Sequence, residues 1–215
     1  MRIPPNTRLV FVGDSITDCG RARPAAEAEP EALGNGYVSL VDAMLTSSNP
    51  GQRLRIVNVG VSGDTVRDLA ARWERDVFAW SPEWLSVMIG INDVWGHFAS
   101  PPDLGLSISL DEYSSTLGEL VRAIRPRLQG LVLVTPYYIE ADRADPMRVR
   151  MDRFSEVVRG LAEEQNAILV DTQAAFDRVL AGMDATALAE DRVHPNLIGH
   201  MVLARAFLEA IGYVW

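Results

Sequence analysis

Five short apolar runs constrain this chain more than anything else in it: Leu9–Val12, Leu54–Val59, Trp84–Ile89, Leu131–Val134 and Ala167–Val170. Each is rich in Val, Ile or Leu and too short for a helix, and several lack polar alternation. Continuous apolarity over a strand's length means burial on both faces, the situation of a parallel sheet covered by helices. Between the runs lie helical stripes. Val66, Leu69, Ala70, Trp73, Val77 and Trp80 recur at i, i+3, i+4 and i+7. Tyr113, Leu117, Leu120, Val121, Ile124 and Leu128 do the same, with Asp111 as the expected N-cap. Met147–Glu164 turns Met151, Phe154, Val158 and Leu161 inward, and a last helix carries Leu197, Met201, Ala204, Leu208 and Ile211 on one face. Strand–helix alternation at this spacing predicts βαβ units with right-handed crossovers. The expected architecture is α/β: one three-layer α/β/α sandwich over residues 1–215, with a central five-stranded parallel sheet.

Composition narrows the function classes. A chain of 215 residues buries roughly 70% of its unfolded surface and needs no disulfide or metal staple to fold. All its basic residues are arginine, and 20 of them against 29 acidic residues leave a net charge of −9. That balance argues against nucleic acid as a partner and against an anionic membrane surface. No window approaches the ~18 apolar residues of a membrane-spanning helix, and Met1–Thr7 offers no apolar signal-peptide stretch. The lone Cys19 has no internal disulfide partner, so the expected setting is the cytoplasm.

Two segments interrupt the strand–helix rhythm, Asp18–Gly36 and Ser100–Ser109, the second with Pro101-Pro102. Both read as loops at the sheet edge where α/β proteins bind ligands. The chemistry-bearing residues gather at that same edge. The first strand runs into Gly13-Asp14-Ser15, which places a serine just past a buried strand. Ser15 is a helix cap or a nucleophile on this pattern alone. Thr17 stands where an α/β-hydrolase elbow has its second glycine, and a lysine-free chain has no Walker lysine. The second strand ends in Asn58-Val59-Gly60-Val61-Ser62-Gly63-Asp64-Thr65, where Asp64 or Thr65 can cap the next helix. There Gly63 is a turn glycine or an unhindered backbone donor. The third strand ends in Gly90-Ile91-Asn92-Asp93, with Asn92 a turn residue or an amide aimed at an oxyanion. Asp191-x-x-His194 precedes the last helix, a spacing at which a carboxylate reaches the histidine Nδ1–H and leaves Nε2 as a base. Each signal is weak alone. Together they supply a nucleophile, a base, its orienter and oxyanion donors, the parts list of acyl transfer.

In these four blocks, taken in order, the chain resembles the SGNH hydrolases, also called the GDSL family. The resemblance spans nearly the whole chain and implies a flavodoxin-like sandwich. It implies Ser15 as nucleophile, His194 as base and Asp191 as the triad acid. The Ser15 and Gly63 backbone N–H groups and the Asn92 side chain are the implied oxyanion hole. Residues 13–24, 64–73, 88–95, 145–151 and 171–176 look closest to the intracellular acetyl-xylan-esterase branch. That branch implies an acetylated carbohydrate as substrate; no cofactor and no metal are expected. The same fold admits thioesterases, lysophospholipases and arylesterases, and the rival of another class is a non-catalytic carbohydrate-binding protein.

Several further residues are weighed. Ser62 is a rival nucleophile inside the second turn, and Cys19 a less favoured thiol one. His97 and His200 offer no metal spacing with His194. Trp95, Tyr137 and Tyr138 follow strands at the reactive edge and are candidates to stack on a sugar ring, or simply core. The apolar C-terminus, Ile211–Trp215, docks on its own subunit or on a second one, and a homo-oligomer is expected.

Overall fold

The protein was described as a computed structural model, which describes residues 1–98 and 107–214. Pro101-Pro102 and Trp215 lie outside the described residues. All five apolar runs are strands: β1 (Arg8–Gly13), β2 (Arg55–Asn58), β3 (Trp84–Met88), β4 (Gly130–Val134) and β5 (Ile168–Val170). They pair in parallel in the order β2-β1-β3-β4-β5, with Val10 opposite Val57 on one side and Leu85 on the other. Burial on both faces explains the unbroken apolarity: every residue of β3 and β4 is buried.

The helices are α1 (Ser15–Asp18), α2 (Tyr37–Ser48), α3 (Val66–Asp76), α4 (Ile91–Phe98), α5 (Leu110–Ile124), α6 (Pro146–Glu164), α7 (Thr172–Leu180) and α8 (Leu197–Ala210). On one face α2 and α7 pack on α8, and on the other α3 packs on α5, which packs on α6. The buried apolar side chains form one contiguous cluster running through both layers. Phe11 shows how a strand residue joins them. It is fully buried, with its ring 5.8 Å from Tyr37 of α2 and 5.0 Å from Phe207 of α8.

Three local expectations need correction. The N-cap of α5 is Ser109, whose hydroxyl accepts from the Glu112 N–H, and Asp111 lies inside the first turn. The stripe read as one helix from Val66 to Trp80 stops at Asp76, and Phe78–Trp80 form a 3-10 turn. Their side chains keep contact with the core, so the apolar period outlasts the helix. Asp18–Gly36 is not all loop, since Pro30–Leu33 make a 3-10 turn.

Parallel strands joined by right-handed crossovers reverse direction of winding between β1 and β3, and loops part there at the carboxyl ends to leave a crevice. Ser15, Gly63, Asn92 and His194 border that crevice. Because Phe11 bridges the sheet to two helices of one face, Phe11→Ala should lose about 3–5 kcal/mol of stability in chemical denaturation. A loss below about 1 kcal/mol would mean that this layer closes over the cavity.

Candidate active site

The turn after β1 is wound tightly enough to start a helix at once. Asp14 is the N-cap of α1 and accepts from the Ile16 N–H at 3.0 Å, so the capping role weighed for Ser15 falls to its neighbour. Ser15 is left half-buried with its hydroxyl free for other work. That hydroxyl donates to His194 Nε2 at 3.0 Å, and His194 Nδ1–H donates to Asp191 Oδ2 at 2.6 Å. The second bond fixes the tautomer that leaves Nε2 as acceptor. Asp191 also holds the loop that carries the histidine: its Oδ1 accepts from the backbone N–H groups of Val193, at 2.9 Å, and His194, at 2.8 Å. Burial pushes the Asp191 carboxyl up, but the donors from His194 and Val193 outweigh it and hold the group below the usual range.

The second turn lies against the first. A Cβ on Gly60 would stand 2.3 Å from the Asp18 N, so only glycine allows this approach. Asn58 ties the two turns, donating from Nδ2 to Thr17 O at 2.7 Å and to Leu33 O at 2.9 Å while Oδ1 accepts from the Gly60 N–H. Gly63 has φ +87 and no heavy atom within 4 Å of a built Cβ, so the space a side chain would take is open. The third turn is helical: Asn92 sits in the first turn of α4, not in a reverse turn. Its Nδ2 donates to Asp64 O at 2.9 Å, which sets the amide's orientation and leaves the second N–H available.

Ser15, Gly63, Asn92 and His194 therefore border one open cavity of about 660 Å³, together with Ile16, Cys19, Asn35, Ser62, Pro195 and His200. The rival nucleophiles are accounted for by their partners. The Ser62 hydroxyl donates to Asp18 Oδ2 at 3.1 Å, a carboxylate also held by Arg23, and meets no imidazole. Cys19 Sγ lies 3.3 Å from His200 Nε2. His200 Nδ1 accepts from the Tyr37 N–H, so Nε2 bears the proton and points a donor, not a base, at the sulfur. Burial lowers His200 to about 4 and raises the Cys19 thiol. Among the described residues no three His, Cys, Asp or Glu side chains converge as a metal would need.

Two of the three aromatic candidates are misplaced by the stacking expectation. Tyr137 is fully buried, its ring 4.5 Å from Phe176 and its hydroxyl donating to Val193 O at 3.2 Å. Tyr138 is buried beneath the Arg192 guanidinium. Both support the His194 loop from within, because the chain leaving β4 passes under that loop instead of lining the crevice. Trp95 is half-buried with its ring 6.3 Å from the His194 ring. Sequence reasoning missed Arg72, a buried arginine on the inner face of α3. A charged residue three positions after Leu69 on an apolar stripe was the available signal.

A parallel sandwich carrying a hydroxyl, an imidazole and a carboxylate in hydrogen-bonded series at its switch point is the architecture of a serine hydrolase. Residues 11–202 match the model of the GDSL-like lipase/acylhydrolase family. An acetylxylan esterase of Geobacillus stearothermophilus is 53% identical over 215 residues, covering 100% of this chain and 98% of the relative. The solved structure of Axe2_S15A, described as a catalytic mutant of the acetylxylan esterase Axe2 from that organism, has a TM-score of 0.98 and 52% identity, covering 100% of this chain and 98% of that one. LAE5, described as an alpha/beta hydrolase enzyme from the metagenome of Lake Arreo, Spain, follows with a TM-score of 0.96 and 48% identity over 99% of this chain and 98% of its own. The chain belongs to the GDSL-like lipase/acylhydrolase family.

One buried group in the site's floor titrates abnormally. Burial raises the Asp14 carboxyl to about 7, with the charges of Asp93 and Asp64 adding to the rise and the Ile16 N–H opposing it. The folded state thus keeps a proton that the unfolded chain gives up near 3.8, and stability falls as pH rises through that interval. Asp14→Asn retains the capping oxygen and removes the charge. Its melting temperature should exceed the parent's at pH 8, with the difference closing toward pH 4; a constant difference across that range would rule the effect out.

Proposed function

We propose that this protein is a serine esterase that removes acetyl groups from xylo-oligosaccharides through an acetyl-enzyme on Ser15. The observation that carries the proposal is the series Ser15 Oγ, His194 Nε2, His194 Nδ1, Asp191 Oδ2, linked at 3.0 and 2.6 Å and opening onto the cavity. Ser15 Oγ attacks the acetyl carbonyl as His194 Nε2 takes its proton, and the Asp191 carboxylate stabilises the imidazolium. Negative charge forms on the former carbonyl oxygen. The Ser15 and Gly63 backbone N–H groups and the free Asn92 amide N–H are its donors. His194 then protonates the departing sugar oxygen, and water repeats the sequence on the acetyl-enzyme to release acetate. Support for the acetylated sugar comes from the relatives at 52–53% identity described as acetylxylan esterases. Trp95 is our candidate for the sugar-stacking ring.

Ser15→Ala should lower kcat on acetylated xylo-oligosaccharides by on the order of 10⁵–10⁶ while leaving the melting temperature near the parent's. Acetyl, butyryl and octanoyl aryl esters assayed together separate the readings. Preference for the octanoyl ester would move the protein to the thioesterase or lysophospholipase type. No turnover of any of them by the parent would leave a binding protein. Rates that survive Ser15→Ala would remove Ser15 as nucleophile.

We further infer one domain that works in the cytoplasm as a homo-oligomer. Support for assembly is the exposure of Leu197 at 65%, Ile198 at 53% and Val214 at 87%. No helix among the described residues is long and apolar enough to cross a membrane. Light scattering at micromolar concentration should give a multiple of the 23.7 kDa chain mass; the single mass would exclude the oligomer.

A further inference from the structure

Two of the turns that carry the oxyanion donors bond one buried side chain directly, and the third reaches it through Asp64. Arg72 is 6% exposed, and three of its four hydrogen-bond partners lie in or beside those turns. Nη2 donates to Gly13 O at 2.9 Å, two residues before Ser15. Nη1 donates to Val59 O at 2.7 Å, at the end of the second strand, and to Asp76 Oδ2 at 3.1 Å. Nε donates to the Asp64 carboxylate, next to Gly63. The backbone carbonyl of that same Asp64 accepts from Asn92 Nδ2 at 2.9 Å. We propose that Arg72 is a positioning residue of the esterase reaction, holding the Ser15, Gly63 and Asn92 donors at one mutual spacing through Gly13 O, Val59 O and Asp64.

The physical case has two parts. A guanidinium presents its donors in a rigid planar fork, so carbonyls and a carboxylate bound to it have their separations set by covalent geometry. A lysine ammonium keeps the charge but offers three donors from one point and reproduces no such spacing. Oxyanion stabilisation depends on donors standing where charge develops, and a misplacement of about 1 Å costs on the order of 10²-fold. Stability alone explains the arrangement poorly. A buried ion pair gains little over apolar residues of its size, whereas a helix face needing only packing at this point could carry leucine. The carboxylates facing the guanidinium, Asp64 and Asp76, lie on the same turn and helix that it braces.

This inference rests on the oxyanion hole proposed above, and the test separates the two. Arg72→Lys, Asn92→Ala and the double variant are purified and compared for kcat and KM on an acetyl ester, beside thermal melts. Asn92→Ala alone should lower kcat roughly 10²–10³-fold, and Arg72→Lys by about 10–10²-fold with KM within about threefold of the parent. In the Arg72→Lys background the further cost of Asn92→Ala should shrink, because the amide is already displaced. A purely structural arginine would lower the melting temperature, leave kcat per folded molecule near the parent's, and leave the Asn92→Ala cost unchanged; that result overturns the proposal. Near-parent kcat in folded Asn92→Ala would instead sink the oxyanion hole itself. Should Arg72→Lys fail to fold, Asp64→Ala stands in for it. That variant keeps the carbonyl Asn92 uses and removes the acceptor of the guanidinium's Nε, and the same shrinkage is expected.

Discussion

The site depends on where a parallel sheet runs out of backbone partners. Within β1 and β3 the strands are paired and every side chain past Arg8 is buried, so no side chain there is open to a ligand. Past Gly13 and Met88 the ladder ends, the crossovers from β1 and β3 lead to opposite faces, and backbone N–H groups become available for chemistry. Oxyanion stabilisation uses such groups because they are aimed before the reaction begins. The order β2-β1-β3 makes neighbours of the three turns that bear Gly63, Ser15 and Asn92, although they are widely separated in sequence.

Turns without a ladder must be held by side chains, and here buried polar residues do it. Asn58 saturates its amide on Thr17 O, Leu33 O and the Gly60 N–H. Asp18 accepts from the Ser62 N–H and hydroxyl, fixing the residue beside Gly63. Arg72 spans the first two turns and reaches the third through Asp64. Each of these groups would be costly to bury unpaired, so each specifies the geometry of its partners as strongly as it is itself specified. The polar floor of the crevice is therefore rigid for the same reason that it is expensive to disturb.

How legible this was depended on whether a feature follows from local pattern. The five strands were readable because a strand buried on both faces must be continuously apolar, and Ser15, Gly63, Asn92 and the Asp191–His194 pair because each stands at a strand's end or a helix's start. Features decided by tertiary contact were not. The stripe from Val66 to Trp80 has helical period throughout, yet the chain leaves the helix at Asp76 while Phe78 and Trp80 still pack on the core. Ser109, two residues ahead of Asp111, takes the cap, a difference below the resolution of periodicity. Tyr137 and Tyr138 stand at the edge where ligands bind, and only the path of the chain under the His194 loop sends them inward. The charge on an apolar stripe marks Arg72 as unusual, but nothing in local sequence shows that it joins the first two turns.

The two halves of the site are held in opposite ways, and the reaction accounts for the difference. The donors proposed for the oxyanion move no proton and gain most from fixed position, and the groups that hold their turns are buried: Arg72 at 6%, Asn58 at 1% and Asp18 at 3% exposed. In the proposed reaction His194 takes a proton, gives it to the leaving oxygen and takes another from water, and its side chain is 54% exposed. An exposed histidine still needs one orientation, which its loop secures from beneath. The Tyr137 hydroxyl and the Ile139 N–H bind the Val193 and Arg192 carbonyls, and Arg192, at φ +64, carries the chain through the turn while its guanidinium meets Glu140. Asp191 completes the arrangement by dividing its carboxylate, one oxygen for the loop's N–H groups and the other for the imidazole. Rotation of that carboxylate would loosen both the loop and the base together, so the backbone bonds on Oδ1 also keep Oδ2 directed at Nδ1.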